Sequence, residues 1–202
     1  MPTLANQITL LRMALVLLIV FFLIQKTFWF QAASFAVFLL ATATDWIDGW
    51  LARHMKDTTS FGALADPLAD KLLIAGALTG FLAIYELQIP AWCVFLILAR
   101  EFIITGFRSL DALKGRTMKA ERWGKGKMLV QSVCVSLIFV VLLGRGHLRA
   151  HPESVASWPA AFVFSQAPYY LSLLILVVTW ASGIWYLYEY RKVLFESWGR
   201  SR

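Results

Sequence analysis

The chain has 202 residues, of which 59% are hydrophobic, and a formal net charge of +7. A water-soluble domain is typically about 45–50% apolar, so this composition excludes an ordinary soluble protein and predicts an integral membrane protein. An excess of basic residues can also indicate nucleic-acid binding. Membrane topology and attraction to anionic lipid head groups explain it here, and we expect no nucleic-acid partner.

Six apolar segments follow one another along the chain, and a membrane-spanning helix needs about 20 mainly apolar residues. The segments cover approximately residues 9–25, 30–52, 66–85, 89–107, 127–144 and 168–190. They predict an all-α fold, with a single membrane domain over residues 1–202 that contains six transmembrane helices. Pro168 is expected in the first turn of the last helix, and residues 145–167 are expected to form the longest connection.

Basic residues are distributed unevenly among the connections. Seven of them lie between the fourth and fifth segments or at the start of the fifth: Arg108, Lys114, Arg116, Lys119, Arg122, Lys125 and Lys127. The connections on the other side hold only Lys26, Arg145 and Arg149. Because Lys and Arg favour the cytoplasmic side, both termini and the connections after the second and fourth segments are predicted to be cytoplasmic.

Four aspartates occur inside or beside the second and third apolar segments: Asp45, Asp48, Asp66 and Asp70. A charge at the centre of a membrane helix costs roughly 2.5–3.5 kcal/mol, so a compensating positive charge is expected. Successive helical residues are about 100° apart, which puts each pair of aspartates on one helix face. Hard carboxylate oxygens suit Mg²⁺ or Mn²⁺, and we predict that the four residues bind one or two such ions.

The residues between the two aspartate pairs favour binding of a nucleotide diphosphate. Gly49 leaves the helix backbone open to a base or ribose, and Arg53, one turn further on, suits a phosphate or a ribose hydroxyl. Thr59 supplies a hydroxyl, and Gly62 permits a close turn before the third segment. Each residue taken alone also has an ordinary explanation, such as helix packing or an arginine that reaches the membrane surface.

The spacing D-x2-D-G-x2-A-R-x8-G-x3-D-x3-D begins at Asp45, ends at Asp70 and is matched at every position. In this spacing the chain resembles the CDP-alcohol phosphotransferase family. The resemblance implies that a CDP-linked alcohol donates its phosphatidyl or related phospho group to an acceptor hydroxyl, with release of CMP. It also implies a six-helix architecture and a homodimer.

The same resemblance assigns roles to individual residues. It implies that Asp45, Asp48, Asp66 and Asp70 ligate the divalent ions, and that Gly49, Arg53 and Thr59 hold the CDP moiety. Gly62, which permits the close turn, is predicted to belong to the same site. Asp70 is also the expected general base on the acceptor hydroxyl. A carboxylate close to bound cations is a weak base, so its contribution depends mainly on its position.

Basic residues in and after the fourth segment predict the kind of acceptor. Arg100 and Glu101 lie in mid-segment, where neither is expected to face lipid, and Arg108 follows two helical turns later. Together with Lys125 and Lys127 at the start of the fifth segment, the two arginines predict a site for an acceptor phosphate. Topology alone explains the two lysines equally well, and a buried pair with Glu101 is the alternative for Arg100.

Further stretches, among them ANQITLLRMAL, AREFIITGFR and WGKGK, are similar to the family members that use sn-glycerol 3-phosphate. This implies that CDP-diacylglycerol is the donor and that membrane lipids surround the helices. One departure is that no proline follows Arg12 in the first segment. The absence of an Arg/Ser-rich transit segment favours a bacterial cytoplasmic membrane.

Three alternatives remain open from the sequence. A transferase of the same family with inositol phosphate or serine as acceptor is the nearest. Aspartates within membrane segments also occur along ion paths, so a cation or proton carrier is the alternative of a different class. A catalytically silent helical scaffold is the third.

Overall fold

The structure is a computed structural model that describes residues 4–51, 60–113, 122–150 and 158–191, and side chains within narrower parts of these ranges. In these ranges the chain forms six α-helices, one short 3₁₀ helix and no strand. The α-helices are α1 (Leu4–Ile24), α2 (Phe28–Leu51), α3 (Ser60–Leu82), α4 (Ala91–Leu113), α5 (Arg122–Ala150) and α6 (Trp158–Glu189). The predicted all-α fold is therefore confirmed.

Two helices in the described part of the chain are long and apolar enough to cross a membrane. They are Gly126–Leu148 within α5 and Ser165–Glu189 within α6. Shorter apolar stretches occur in α1, α2 and α3.

The helices extend at one end or both beyond the apolar segments from which they were predicted. The largest extensions are the start of α3 at Ser60, the end of α4 at Leu113, the end of α5 at Ala150 and the start of α6 at Trp158. Pro168 consequently lies inside α6, so the expectation that it occupies the first turn is wrong. Hydropathy identifies only the apolar part of a helix, whereas backbone hydrogen bonds continue through polar turns at either end.

α1 and α3 run parallel and in close contact. A Cβ atom built on Gly76 would lie 2.5 Å from Val16 Cγ1, and one built on Gly80 would lie 2.6 Å from Leu23 Cδ1. Real Cβ atoms do not approach other atoms so closely, so the two glycines allow the helices to pack together. Small residues four positions apart are typical of closely packed membrane helices.

Three hydrogen bonds define the directions of the last three helices: Cys93 Sγ to Ser172 O at 3.3 Å, Arg100 Nη2 to Ser182 Oγ at 2.9 Å, and Arg145 Nη2 to Ser165 O at 2.9 Å. The first two bonds make α4 parallel to α6. The third bond, together with that from Gln131 Nε2 to Thr179 Oγ1 at 2.9 Å, makes α5 antiparallel to α6. Ser34 Oγ of α2 donates to Ile19 O of α1 at 3.0 Å, and these two helices are antiparallel neighbours.

The core is centred on Phe139 of α5, which is fully buried. The centroid of its ring lies 5.2 Å from that of Phe35, 5.5 Å from that of Phe38 and 4.8 Å from that of Phe81. Aromatic pairs of this kind contribute about 0.5–1.5 kcal/mol beyond the burial of their surface. These four rings, called the Phe139 layer below, join α2, α3 and α5.

Candidate active site

The four predicted metal ligands belong to one end of the bundle. Asp45 and Asp48 are in the last two turns of α2, and Asp66 and Asp70 are in the first three turns of α3. Helices α2, α4 and α6 end there, and α1, α3 and α5 begin there; we call it the charged end. The side chains of the four aspartates are outside those that the structure describes, so metal ligation stays a prediction.

Distances from the Phe139 layer give the height of residues along the bundle. With a rise of about 1.5 Å per residue, Asp48 lies ~15 Å beyond Phe38 along α2, and Asp70 lies ~16 Å before Phe81 along α3. Lys127 lies ~18 Å from the same layer along α5. The backbone therefore brings Asp48, Asp70 and Lys127 to about the same level.

Some of the other predicted site residues lie at the charged end, and two lie outside the described residues. Gly49 lies in α2, Gly62 in α3, Arg108 in α4 and Lys125 in α5, all of them at the charged end. Arg53 and Thr59 lie outside the described residues. The residues predicted for the donor and those predicted for the acceptor thus share one end of the bundle wherever the backbone is described.

Three charged side chains are buried together at this end. Glu101 and Arg100 of α4 are 7% exposed, and Lys127 of α5 is 8% exposed. Lys127 Nζ forms an ion pair with Glu101 Oε1, and Arg100 Nη1 lies 3.6 Å from Glu101 Oε2. One carboxylate is shared between two cations, so these three groups together carry one excess positive charge.

Polar groups of α5 and α6 complete this arrangement. Gln131 Nε2 donates to Glu101 Oε1 at 3.1 Å and to Thr179 Oγ1 at 2.9 Å. Ser182 accepts the hydrogen bond from Arg100 described above. Burying a polar group is costly unless it is hydrogen-bonded, so these bonds stabilise the buried position of the charges. The Glu101 cluster is defined as Arg100, Glu101, Lys127, Gln131, Thr179 and Ser182.

The backbone of α6 packs directly against Arg100. A Cβ atom built on Gly183 would lie 2.5 Å from Arg100 Nε. This Nε atom is buried and has no hydrogen-bond partner among the described residues. The guanidinium is therefore held by Glu101 and Ser182 at its two Nη atoms and covered by Gly183 beside Nε.

Only part of the Glu101 cluster is predictable from the sequence. Arg100 and Lys127 were predicted for the acceptor phosphate, and the alternative pair of Arg100 with Glu101 is present. Gln131 was missed, although it lies four residues after Lys127 and therefore on the same helix face. Thr179 and Ser182 were also missed, because small hydroxyl residues in an apolar helix give no distinctive signal.

A cleft at the opposite end of the bundle is separate from these residues. Lys26, Gln31, Glu86 and Arg145 are among its lining residues. Arg145 donates hydrogen bonds to the carbonyl oxygens of Glu86 and Ser165, which joins the connection after α3 to α5 and α6. The role of Arg145 in this structure is to hold these elements together.

Comparison with known proteins identifies the family. Residues 2–185 match the family described as CDP-alcohol phosphatidyltransferase. This match covers most of the chain, and the chain belongs to that family. The resemblance recognised in the aspartate spacing is confirmed.

Several bacterial relatives share much of the sequence. The CDP-diacylglycerol–glycerol-3-phosphate 3-phosphatidyltransferase of Bacillus subtilis (strain 168) is 34% identical over 174 residues, which cover 80% of this chain and 89% of that protein. The protein of the same name from Sodalis glossinidius is 36% identical, over 83% of this chain and 84% of its own length. A probable phosphatidylglycerophosphate synthase of Mycobacterium tuberculosis (strain CDC 1551 / Oshkosh) is 39% identical, over 73% of this chain and 70% of that protein.

Proposed function

We propose that this chain transfers the phosphatidyl group of CDP-diacylglycerol to the 1-hydroxyl of sn-glycerol 3-phosphate, giving phosphatidylglycerol phosphate and CMP. The observation that carries this proposal is the similarity, over most of the chain, to relatives named for that reaction. The hydroxyl oxygen attacks the phosphorus that bears the diacylglycerol, and the bond from that phosphorus to the CMP oxygen breaks. The hydroxyl proton passes to Asp70.

The four aspartates are proposed to hold one or two Mg²⁺ or Mn²⁺ ions. Two observations support this: the donor set consists of hard carboxylate oxygens, and the backbone brings both pairs to one end of the bundle. When bound, the ions neutralise the pyrophosphate and stabilise the oxygen of the departing CMP. Gly49, Arg53, Thr59 and Gly62 are proposed for the CDP site, with Arg53 contacting a phosphate.

The acceptor phosphate is proposed to bind beside the Glu101 cluster. Arg100, Arg108, Lys125 and Lys127 are the proposed residues. Their support is chemical: guanidinium and ammonium groups are ordinary ligands of a phosphate, and Arg100 and Lys127 are held near each other by contacts to Glu101. These groups favour an acceptor that carries a phosphate, whereas serine carries none.

The protein is proposed to span a bacterial cytoplasmic membrane with six helices and to form a homodimer. Exposed apolar side chains such as Leu17 of α1 and Val177 of α6 support contact with lipid. Basic residues concentrated in the connection between α4 and α5 support a cytoplasmic position for the charged end and both termini. The acyl chains of the donor are proposed to lie against the helices, with the CDP head group turned towards the aspartates.

The experiment that tests this function compares acceptors in parallel. Purified protein in detergent receives CDP-diacylglycerol, Mg²⁺ and either sn-glycerol 3-phosphate, inositol phosphate or serine, and the lipid product is identified by mass spectrometry. We expect phosphatidylglycerol phosphate and CMP with sn-glycerol 3-phosphate, and no lipid product with the other two. A lipid product with inositol phosphate or serine, and none with sn-glycerol 3-phosphate, would refute the proposed acceptor. The type of reaction expected of the family would still stand.

An ion-transport measurement addresses the alternative of a different class. Protein reconstituted in liposomes without CDP-diacylglycerol is expected to give no flux of cations or protons. Flux in those liposomes, together with no lipid product, would favour a carrier over a transferase. Membership of a transferase family supports the opposite outcome.

A further inference from the structure

We propose that Glu101 is a positioning residue for the acceptor site, which fixes Lys127 and Arg100 in place without contacting the acceptor itself. This inference rests on the proposed function, because it requires an acceptor that carries a phosphate. A carboxylate repels a phosphate at short range, so direct contact between Glu101 and the acceptor is unfavourable. Glu101 can therefore contribute to binding of an anion only through the cations beside it.

The geometry of Glu101 suits that indirect role. Both of its carboxylate oxygens are directed to cations, Oε1 to Lys127 on α5 and Oε2 to Arg100 on the same helix. The contact with Lys127 joins α4 to α5, and both helices carry predicted phosphate-binding residues. Gln131 donates a further hydrogen bond to Oε1, which limits rotation of the carboxylate.

The cations need such a partner because of their chemistry. A lysine ammonium stands on a flexible stem with many rotamers, and an ion pair reduces that freedom before the substrate arrives. The guanidinium of Arg100 is held at Nη1 by Glu101 and at Nη2 by Ser182. Preorganised charges stabilise a bound anion more than charges that must first move into place.

Neutralising Glu101 provides the test. We expect Glu101→Gln to raise the KM for sn-glycerol 3-phosphate by about tenfold or more, as for loss of a hydrogen bond between charged groups, and the KM for CDP-diacylglycerol by less than about twofold. Thr105→Val is the matched control, since Thr105 is one turn along α4 and its hydroxyl donates to the backbone oxygen of Glu101, outside the cluster. Both KM values should stay unchanged in the control.

A second readout separates positioning from a merely structural role and from direct contact. Inorganic phosphate is used as a competitive inhibitor against sn-glycerol 3-phosphate, and its inhibition constant should rise by the same factor as the acceptor KM. A structural role lowers the thermal unfolding temperature and the active fraction while the acceptor KM stays constant, which would overturn the proposal. A raised acceptor KM with unaltered phosphate inhibition indicates direct contact with the glycerol part and would also overturn it.

If Glu101→Gln yields no folded protein, a variant of Gln131 tests whether Glu101 positions the two cations. Gln131→Leu removes the hydrogen bond to Glu101 Oε1 without changing charge, and we expect the acceptor KM to rise several-fold. An unchanged acceptor KM in that variant overturns the positioning role. If the wild-type protein makes no lipid from sn-glycerol 3-phosphate, the proposed function is wrong and the positioning role fails with it. If the wild-type protein is active and the acceptor KM is unaltered in the Glu101→Gln and Gln131→Leu variants, only the positioning role is overturned.

Discussion

The Phe139 layer and the Glu101 cluster each join three helices of one bundle, and they do so by different physical means. The layer consists of four aromatic rings in van der Waals contact. The cluster consists of buried charges and hydroxyl or amide groups with directed hydrogen bonds. Van der Waals packing of the first kind is one of the main forces that hold membrane helices together.

Buried apolar residues of α4 and α6, such as Ile97 and Ile175, belong to the same core, so these helices are held together without the buried charges. The charge buried at the other level of the bundle therefore supports the proposed acceptor site. Ionisable residues within membrane helices are costly, and their usual positions are pathways and binding sites. The comparison therefore predicts separable effects. Changes in the Phe139 layer should alter stability, and changes at the charged end should alter catalysis or substrate affinity.

The largest expected effect is at the charged end. Asp70→Asn removes the proposed base while keeping the size of the side chain, and we expect transfer to fall by roughly 10²–10⁴-fold, the usual contribution of a general base. Binding of CDP-diacylglycerol and the thermal unfolding temperature should be retained. The measurements are CMP release and donor binding, and unchanged turnover would refute the role of Asp70.

The Phe139 layer should give the opposite pattern. Phe139→Ala removes a fully buried ring, and such substitutions typically cost about 3–5 kcal/mol of folding free energy. We expect a lower thermal unfolding temperature in detergent, with both KM values of the folded protein unchanged. Leu129→Ala on the same helix is the control, because Leu129 is 67% exposed and its loss leaves no cavity. Equal stability of the two variants would contradict the assignment of the core.

A smaller effect is expected where α1 packs against α3. The Cβ atom of Gly76→Ala meets Val16 Cγ1 unless the helices separate, and overpacking of this kind costs about 1–3 kcal/mol. Gly106→Ala is the matched control, because nothing lies within 4 Å of the added atom. We expect Gly76→Ala to lower the unfolding temperature and Gly106→Ala to keep or raise it, since alanine favours a helix by about 1 kcal/mol over glycine. A lower unfolding temperature in the control alone would contradict the close approach.

Local patterns in the sequence predicted the helices and the position of the aspartates. Apolar length identifies a helix, and the spacing of Asp45, Asp48, Asp66 and Asp70 identifies the family and predicts that each pair shares a helix face. Helix ends were less predictable, because Ser60 and Trp158 begin helices in turns whose residues are not uniformly apolar. Backbone hydrogen bonding continues past the most apolar residues there, so the change in hydropathy does not mark the end of the helix.

Contacts distant in sequence could not be predicted in the same way. Gln131 and Thr179 are 48 residues apart, and their hydrogen bond exists only because α5 and α6 pack in one particular register. The pairing of Lys127 with Glu101 depends equally on how α4 meets α5. The charges of these residues were visible in the sequence, whereas the choice of partner comes from tertiary packing.

Dependence on a divalent ion is the most direct test of the proposal that the four aspartates act together. The measurement is the rate of phosphatidylglycerol phosphate formation by purified protein in excess EDTA, and again after Mg²⁺ is added back. We expect transfer to be lost in the chelator and restored by Mg²⁺. Full product formation in excess EDTA would contradict the account.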